Sequence, residues 1–444
     1  YQENCASCHG DDLAGGSGGS LIDDEWLHGD SDAEIAASIR DGNADMGMPA
    51  WKGALDEKQI RSLVIYIREM KAKSLQEQVA ERLVDDGGVF TAAGHSYKLE
   101  TLGEGEGMLW SIDFMPDGAM LVTQRDGVLW RFRNGERTKI EGIPEVWQHG
   151  QGGLLEVALH PDYEKNGWIY LSYSEHTGAQ ERDKDAGMTT VVRGRIDDGA
   201  WIDQERLFRV DGEHHTSSGA HYGSRFVFDD GYLFFSIGDR GRQDRAQDLG
   251  RPNGKVYRIH DDGRVPADNP FVGVEGALPE IWSYGHRNPQ GMDRDPRTGL
   301  LWESEHGPRG GDEINVVEKG KNYGWPVITY GMNYNGTPIT DKTHQEGMEQ
   351  PKLYWVPSIA VAGIDFCECS AFPAWNGKLL AGGMASEELH LLTIENGEVT
   401  ADEIILKGQG RIRDVASGPD GGIYLLLNDG SPRKGRIARM SPAD

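Results

Sequence analysis

Positive charge is in short supply: 45 Lys and Arg stand against 72 Asp and Glu, giving a net charge of −27. That balance excludes the electrostatic attraction on which binding to nucleic acid or an anionic membrane surface depends. It reads instead as a solvated acidic surface that favours solubility. Long apolar runs are also missing. No stretch approaches the roughly 20 apolar residues of a membrane-crossing helix, so no span is expected. Cysteine is scarce, with four residues in 444. Cys5 and Cys8 lie at the front and Cys367 and Cys369 far downstream, so neither pair has the further ligands of a closed zinc site nearby. A length of 444 residues suggests two or three domains rather than one.

What is present begins with Cys5-Ala6-Ser7-Cys8-His9, the C-x-x-C-H string of covalent haem c attachment. The two thiols would bond the haem vinyl groups, and His9 would become the proximal iron ligand. A redox-thiol site would want a βαβ context, which the flanks do not offer. Ser31-Asp32-Ala33-Glu34 reads as a capping box opening a short helix, with Ile35 and Ile39 on one face and Gly42 at its end. Met46-Gly47-Met48-Pro49-Ala50-Trp51 follows. Then Ile60, Leu63, Val64 and Ile67 take the i, i+3, i+4, i+7 spacing of a last helix. This order resembles a class I cytochrome c across residues 1–75. The resemblance implies Met48, directly before the proline, as second axial ligand, with Met46 as fallback. A Met/His pair raises the haem potential towards electron transfer. Haem c attachment further implies export, so a removed signal peptide and a periplasmic or secreted location are expected.

Residues 76–100 read as a connector into the next domain, running through Asp85-Asp86-Gly87-Gly88. From about 101 to 444 one theme repeats: an apolar strand, a Pro/Asp/Gly turn, a second strand. The turns are Met115-Pro116-Asp117-Gly118, His160-Pro161-Asp162, Asp229-Asp230-Gly231, Asp295-Pro296-Arg297-Thr298-Gly299, Trp375-Asn376-Gly377 and Gly418-Pro419-Asp420-Gly421. Such turns between β-rich runs mark hairpins. Recurrence at roughly 45 to 80 residues suits blades with variable inserts. With 61 glycines in the chain, the expected body is all-β, a six-bladed β-propeller behind a small all-α cytochrome domain. A β-sandwich would show hairpins too, but has no need of six copies of one turn.

Propeller function sits on loops meeting at one end of the channel, and five segments carry more polar chemistry than turns require. They are 148–155; 221–225 with 238–241; 285–291; 305–315 closed by 322–325; and 411–414. His221 could accept a proton near neutral pH, with Asp239 fixing its tautomer. Arg287, Arg411 and Arg413 together would bind a polycarboxylate or phosphate. Backbone carbonyls beside Asp312 and Glu313 are hard oxygen ligands suited to calcium. Taken singly, each segment is as easily an ordinary turn or a salt-bridged strand face. Cys367 and Cys369 fit a buried pair or a local disulfide, with a metal or redox role the less favoured alternative.

These segments, with Trp110-Ser111-Ile112 and Gly320-Lys321-Asn322-Tyr323-Gly324-Trp325, resemble the soluble aldose sugar dehydrogenases of the glucose/sorbosone type that use pyrroloquinoline quinone (PQQ). The strings Gly150-Gln151-Gly152-Gly153-Leu154-Leu155 and Gly285-His286-Arg287-Asn288-Pro289-Gln290-Gly291 are the most specific. The resemblance covers about residues 100–440 and implies a six-bladed propeller. It implies His221 as general base supported by Asp239, and Gln151, Arg287, Asn288, Arg411 and Arg413 as PQQ contacts. Carbonyls of Gly307 and Pro308 would bind the calcium beside PQQ, and Glu313 with Tyr323 a second, structural calcium. Arg287 would also stabilise charge as the hydride arrives. One departure stands out: Ala385, in Gly382-Gly383-Met384-Ala385-Ser386-Glu387-Glu388, falls where the family usually places a PQQ-contacting lysine. The expectation is therefore an enzyme that oxidises an aldose to a lactone and sends electrons through its own haem to an external carrier. The rival is a non-catalytic glycan- or protein-binding propeller joined to an electron-transfer cytochrome.

Overall fold

The structure is a computed structural model and describes residues 1–23, 25–80, 88–429 and 434–443, with side chains of 75–80 left aside. The sequence-derived connector at Asp85-Asp86-Gly87 lies outside the described residues. The front of the chain folds as three helices, α1 (Ala6–His9), α2 (Asp32–Asp41) and α3 (Glu57–Ala80). The capping box forms: Ser31 Oγ accepts from the Glu34 amide and Glu34 returns to the Ser31 amide at 3.0 Å. Helix α2 ends at Gly42, where a Cβ would meet the Ala50 nitrogen at 2.5 Å at a φ of +69°. Only glycine lets the methionine loop turn back this closely. Ile35, Ile39, Ile60, Val64, Ile67 and Leu13 form the core, with Met48 and Trp51 against it.

Behind this domain stand six antiparallel sheets. Their innermost strands are Leu109–Phe114, Leu154–Leu159, Phe226–Asp229, Pro289–Arg294, Val361–Phe366 and Arg411–Ser417. Each sheet is one blade of a six-bladed propeller, as the turns led us to expect. All six turn motifs fall between the first and second strands of their blades. Blade six is shared between the two ends of the propeller: His95–Glu104 pairs antiparallel with Lys434–Pro442, and Phe90–Ala92 pairs outside it. The segment read as a connector thus contributes its last residues to a blade. This ring closure leaves few free strand edges.

The core is divided among the blade seams. Leu389, Leu391 and Ile405 of blade five meet Leu425, Leu427 and Met440 of blade six, and the other neighbours meet likewise. Carboxylates stitch the seams near the axis. Asp113 accepts from the Leu159 amide at 2.6 Å, Asp293 from Phe366 at 2.6 Å, and Asp414 from Ile112 at 3.1 Å, joining blade six to blade one. Part of the acidic excess is therefore structural and buried, not surface charge as composition suggested. Cys367 and Cys369 form a disulfide in blade five.

Candidate active site

His221 sits in the loop entering blade three, and Asp239 just after that blade's second strand. The loop crosses itself closely: at Gly223, φ +64°, a Cβ would meet the Gly238 nitrogen at 2.8 Å. His221 itself has a φ of +53°, a left-handed conformation that costs about 1–2 kcal/mol. Its Nδ1 lies 2.6 Å from Asp239 Oδ1, and the Asp239 side chain is fully buried. Asp239 Oδ1 also accepts from the Gly241 amide at 2.7 Å, and Oδ2 from Trp325 Nε1 at 2.8 Å. Burial would raise this carboxyl, but the His221 hydrogen bond and charge bring it below the ordinary range. His221 is lowered as well, which for an imidazole favours the neutral form: burial, then the charge of Arg287, outweigh Asp239. The product is a neutral imidazole, oriented through Nδ1, with Nε2 as its basic atom.

The cationic groups gather around the same space. Arg287 Nη1 donates to the carbonyls of His306 and Gly307, each at 2.7 Å, and its own carbonyl accepts from the Asp239 amide. Arg413 reaches Gln290 Oε1 at 2.8 Å across the ring, with its Nε buried and without a hydrogen-bond partner. Burial and the charges of Arg225, Arg411 and Arg125 push its guanidinium down to about 9. His306 lies among them: burial, then Arg413, Arg287, His221 and Arg411, hold it well below its ordinary range, and its buried Nε2 has no partner. Asn288 Oδ1 accepts from the Gly223 amide at 3.2 Å, and Gln151 Oε1 from the His221 amide at 2.8 Å. Mutually repelling guanidiniums beside the buried, unpartnered Arg413 Nε–H are what a polycarboxylate would satisfy, so the residues fit PQQ. Ala385 is exposed, and no lysine takes its place at that position.

Blade four supplies the metal-binding candidates. The Gly307 carbonyl accepts from Arg287 and the Pro308 carbonyl from Ser358 Oγ at 2.8 Å, which leaves each a second lone pair. Glu313 is partly buried, and desolvation with the charge of Glu305 raises it to about 8. Tyr323 spends its hydroxyl on the Val316 carbonyl and stacks on His286 at 4.6 Å. Beside them, His286, Glu303 and Glu305 converge, with His286 Nδ1 2.8 Å from Glu303 and 3.1 Å from Glu305. That ion pair engages one Glu303 oxygen, and Oε2 has no hydrogen-bond partner. A buried carboxylate group with one imidazole among it suits a divalent cation. This cluster was missed in the sequence. Its one signal is Glu303-x-Glu305, whose alternation puts two acids on one face of a buried strand.

At the front, Cys5 and Cys8 are free thiols on either side of the first turn of α1. His9 Nδ1 is 2.8 Å from the Gly19 carbonyl, which fixes the tautomer and leaves Nε2 for iron. Met48 packs against the domain core whereas Met46 is 61% exposed, so the fold favours Met48 as the second ligand. These residues fit haem c.

Fold and site together define a propeller oxidoreductase carrying a cytochrome c domain. The family described as glucose/sorbosone dehydrogenase matches residues 107–439, and that described as cytochrome c oxidase, cbb3-type, subunit III matches residues 1–67. The chain belongs to the glucose/sorbosone dehydrogenase family. It is 44% identical over 342 residues to aldose sugar dehydrogenase YliI of Escherichia coli, covering 75% of this chain and 90% of that protein. The crystal structure of the apo aldose sugar dehydrogenase from Escherichia coli superposes with a TM-score of 0.73 at 41% identity, over 78% of this chain and all of that one. The PQQ-bound aldose sugar dehydrogenase of Streptomyces coelicolor shares the fold at 24% identity, with a TM-score of 0.62 over 79% of this chain and all of that one.

Proposed function

We propose that this chain is a quinohaemoprotein of the periplasm or cell exterior, oxidising aldose sugars to lactones and passing the electrons to a haem held at Cys5 and Cys8. The observation that carries the reading is the 2.6 Å His221–Asp239 pair set beside Arg287. His221 Nε2 takes the proton of the anomeric hydroxyl, and Asp239 holds the ring in position and stabilises the imidazolium that results. Arg287 offers a fixed cation where negative charge develops. When bound, PQQ with calcium supplies the hydride acceptor and its electrophilic polarisation. Gln151, Arg287, Asn288, Arg411 and Arg413 would hold PQQ, and the Gly307 and Pro308 carbonyls its calcium. Glu313 and Tyr323, with the neighbouring Glu303, Glu305 and His286, would hold a second calcium. His9 and Met48 would ligate the haem iron, and a soluble external carrier such as a small cytochrome would take its electrons.

Exposed Ala385 in place of the lysine favours a non-catalytic binding propeller, but such a module has no use for a buried, oriented imidazole. The test is spectroscopic. Sugar added to the protein should reduce the haem only after PQQ and calcium are supplied. An oxidised haem under those conditions, with PQQ demonstrably bound, overturns the reading.

A further inference from the structure

Helix α3 has two working faces. Ile60, Val64 and Ile67 point into the cytochrome core alongside Met48. Ile65 belongs to the other face and is nevertheless 1% exposed. What covers it is blade four: a Cβ built on Gly310 would lie 3.4 Å from Ile65 Cγ2. Arg61, Ile65 and Glu69 follow at i, i+4 and i+8, one stripe of the helix. Each meets the propeller or its inserts. Glu69 receives a forked pair from Arg309, Nε to Oε1 at 2.9 Å and Nη2 to Oε2 at 2.7 Å. Arg61 donates to the Tyr330 carbonyl at 3.3 Å and lies over the Tyr330 ring, which stacks on Tyr354 at 3.7 Å. Behind Arg61, Asp32 at the start of α2 binds Arg61 at 2.6 Å and Arg68 at 2.9 Å, so the stripe is braced by its own domain. The seam is only partly filled. A cavity of about 230 Å³ remains between Asp32, Ile65, Arg68, Tyr354 and Val356.

On the propeller side, Arg309 and Gly310 bring the contact up to the candidate active site. Arg309 and Gly310 directly follow Gly307 and Pro308, and Arg287 is bonded to the carbonyls of His306 and Gly307. One helix, about 10–12 Å across with its side chains, therefore separates the cytochrome core from the loop that edges the candidate active site. We propose that the stripe Arg61–Ile65–Glu69 is an internal docking ridge that seats the cytochrome on blade four, and that the Arg309–Glu69 pair sets the rate of electron transfer from propeller to haem. The inference rests on the sugar-oxidising reading above and adds its route. Oxidation of one sugar to a lactone releases two electrons and two protons. The haem iron takes one electron at a time, Fe(III) to Fe(II), so each turnover reduces it twice, with an external one-electron acceptor reoxidising it in between. An undocked cytochrome would have to find the propeller by diffusion on its tether, where contact depends on linker-set local concentration.

The test is charge reversal in the full-length protein carrying haem, PQQ and calcium. Glu69→Arg places two cations together. It should slow sugar-driven haem reduction in stopped flow by about tenfold or more, as expected when a close charge pair is made repulsive. Reduction of a small dye that takes electrons directly from the propeller should be unchanged. Small-angle scattering without sugar supplies a readout independent of turnover: the variant should be more extended than the unmodified protein. Pairing Glu69→Arg with Arg309→Glu should restore compactness and haem reduction together. Unchanged compactness and unchanged haem reduction in Glu69→Arg and in Ile65→Asp would overturn the ridge. Extension with unimpaired haem reduction would overturn its role in electron transfer. If sugar reduces neither haem nor dye in the unmodified protein, the functional reading falls instead, and scattering alone decides the docking.

Discussion

Trp325 donates its indole N–H to Asp239 Oδ2 at 2.8 Å, from 86 residues further along the chain. His221 holds the other oxygen of the same carboxylate. The carboxylate is thus gripped from both sides and cannot swing away from the imidazole. Trp325→Phe keeps most of the bulk but leaves a buried oxygen unsatisfied, a loss worth about 1–3 kcal/mol. Sugar turnover should fall about tenfold with KM little changed, in keeping with weakened orientation of the base. An unchanged kcat would show that Asp239 needs no second anchor.

The acidity of His221 sets the direction of the pH profile. Its folded pKa lies below the ordinary 6.5 because burial and Arg287 disfavour the imidazolium. The base works when neutral, so activity should persist above that pKa and fall as pH drops through it. The acid limb of kcat/KM should therefore lie below 6.5. Asp239 acts in the opposite sense, favouring the charged ring. Asp239→Asn should move the limb to still lower pH while reducing the plateau. A limb that moves upward would contradict this assignment.

Much of this layout is legible in the sequence, because local chemistry fixes it. The six Pro/Asp/Gly turns mark the same hairpin of every blade, and Ser31 with Glu34 caps α2. His221 and Asp239 flank the first two strands of one blade, so they were readable as a pair. What escaped depends on contacts between distant segments. Nothing local says that His95–Glu104, a strand with half its side chains exposed, closes blade six against the C-terminal strand. Trp325 closes one of the polar segments in the sequence, but nothing local says that its indole reaches the carboxylate of Asp239. His286 joins Glu303 and Glu305 only once the strand and loop of blade four are folded together.

The two methionines of the haem loop give a clean contrast. Met48 packs on the domain core beside Ile60 and Val64, while Met46 points to solvent at 61% exposure. Met48→Ala should lower the haem potential and alter the spectrum of the reduced haem, since Met/His ligation raises the potential. Met46→Ala should do neither. Equal effects from the two would mean that the loop offers either sulfur to the iron.

The His286–Glu303–Glu305 cluster should make stability depend on calcium. Two buried carboxylates share one imidazole, and Oε2 of Glu303 has no hydrogen-bond partner. Glu313 beside them is raised to about 8, chiefly by burial and secondly by Glu305. The group therefore holds protons in place of charge, with Glu305 also raised and His286 lifted to about 9, and a divalent cation would displace those protons and bind the freed carboxylates. A cation bound only by the folded state stabilises by about 2.7 kcal/mol at a hundred times its dissociation constant. Thermal unfolding of the full chain should accordingly shift upward with added calcium and downward with a chelator. Calcium at the Gly307 and Pro308 carbonyls would respond to the same additions, so the discriminating variant is Glu303→Gln. It removes charge from the cluster without touching those carbonyls. It should abolish most of the calcium-dependent shift while leaving PQQ binding in place. A calcium shift of full size in Glu303→Gln would move the stabilising ion elsewhere, and identical melting in chelator and calcium would remove it altogether.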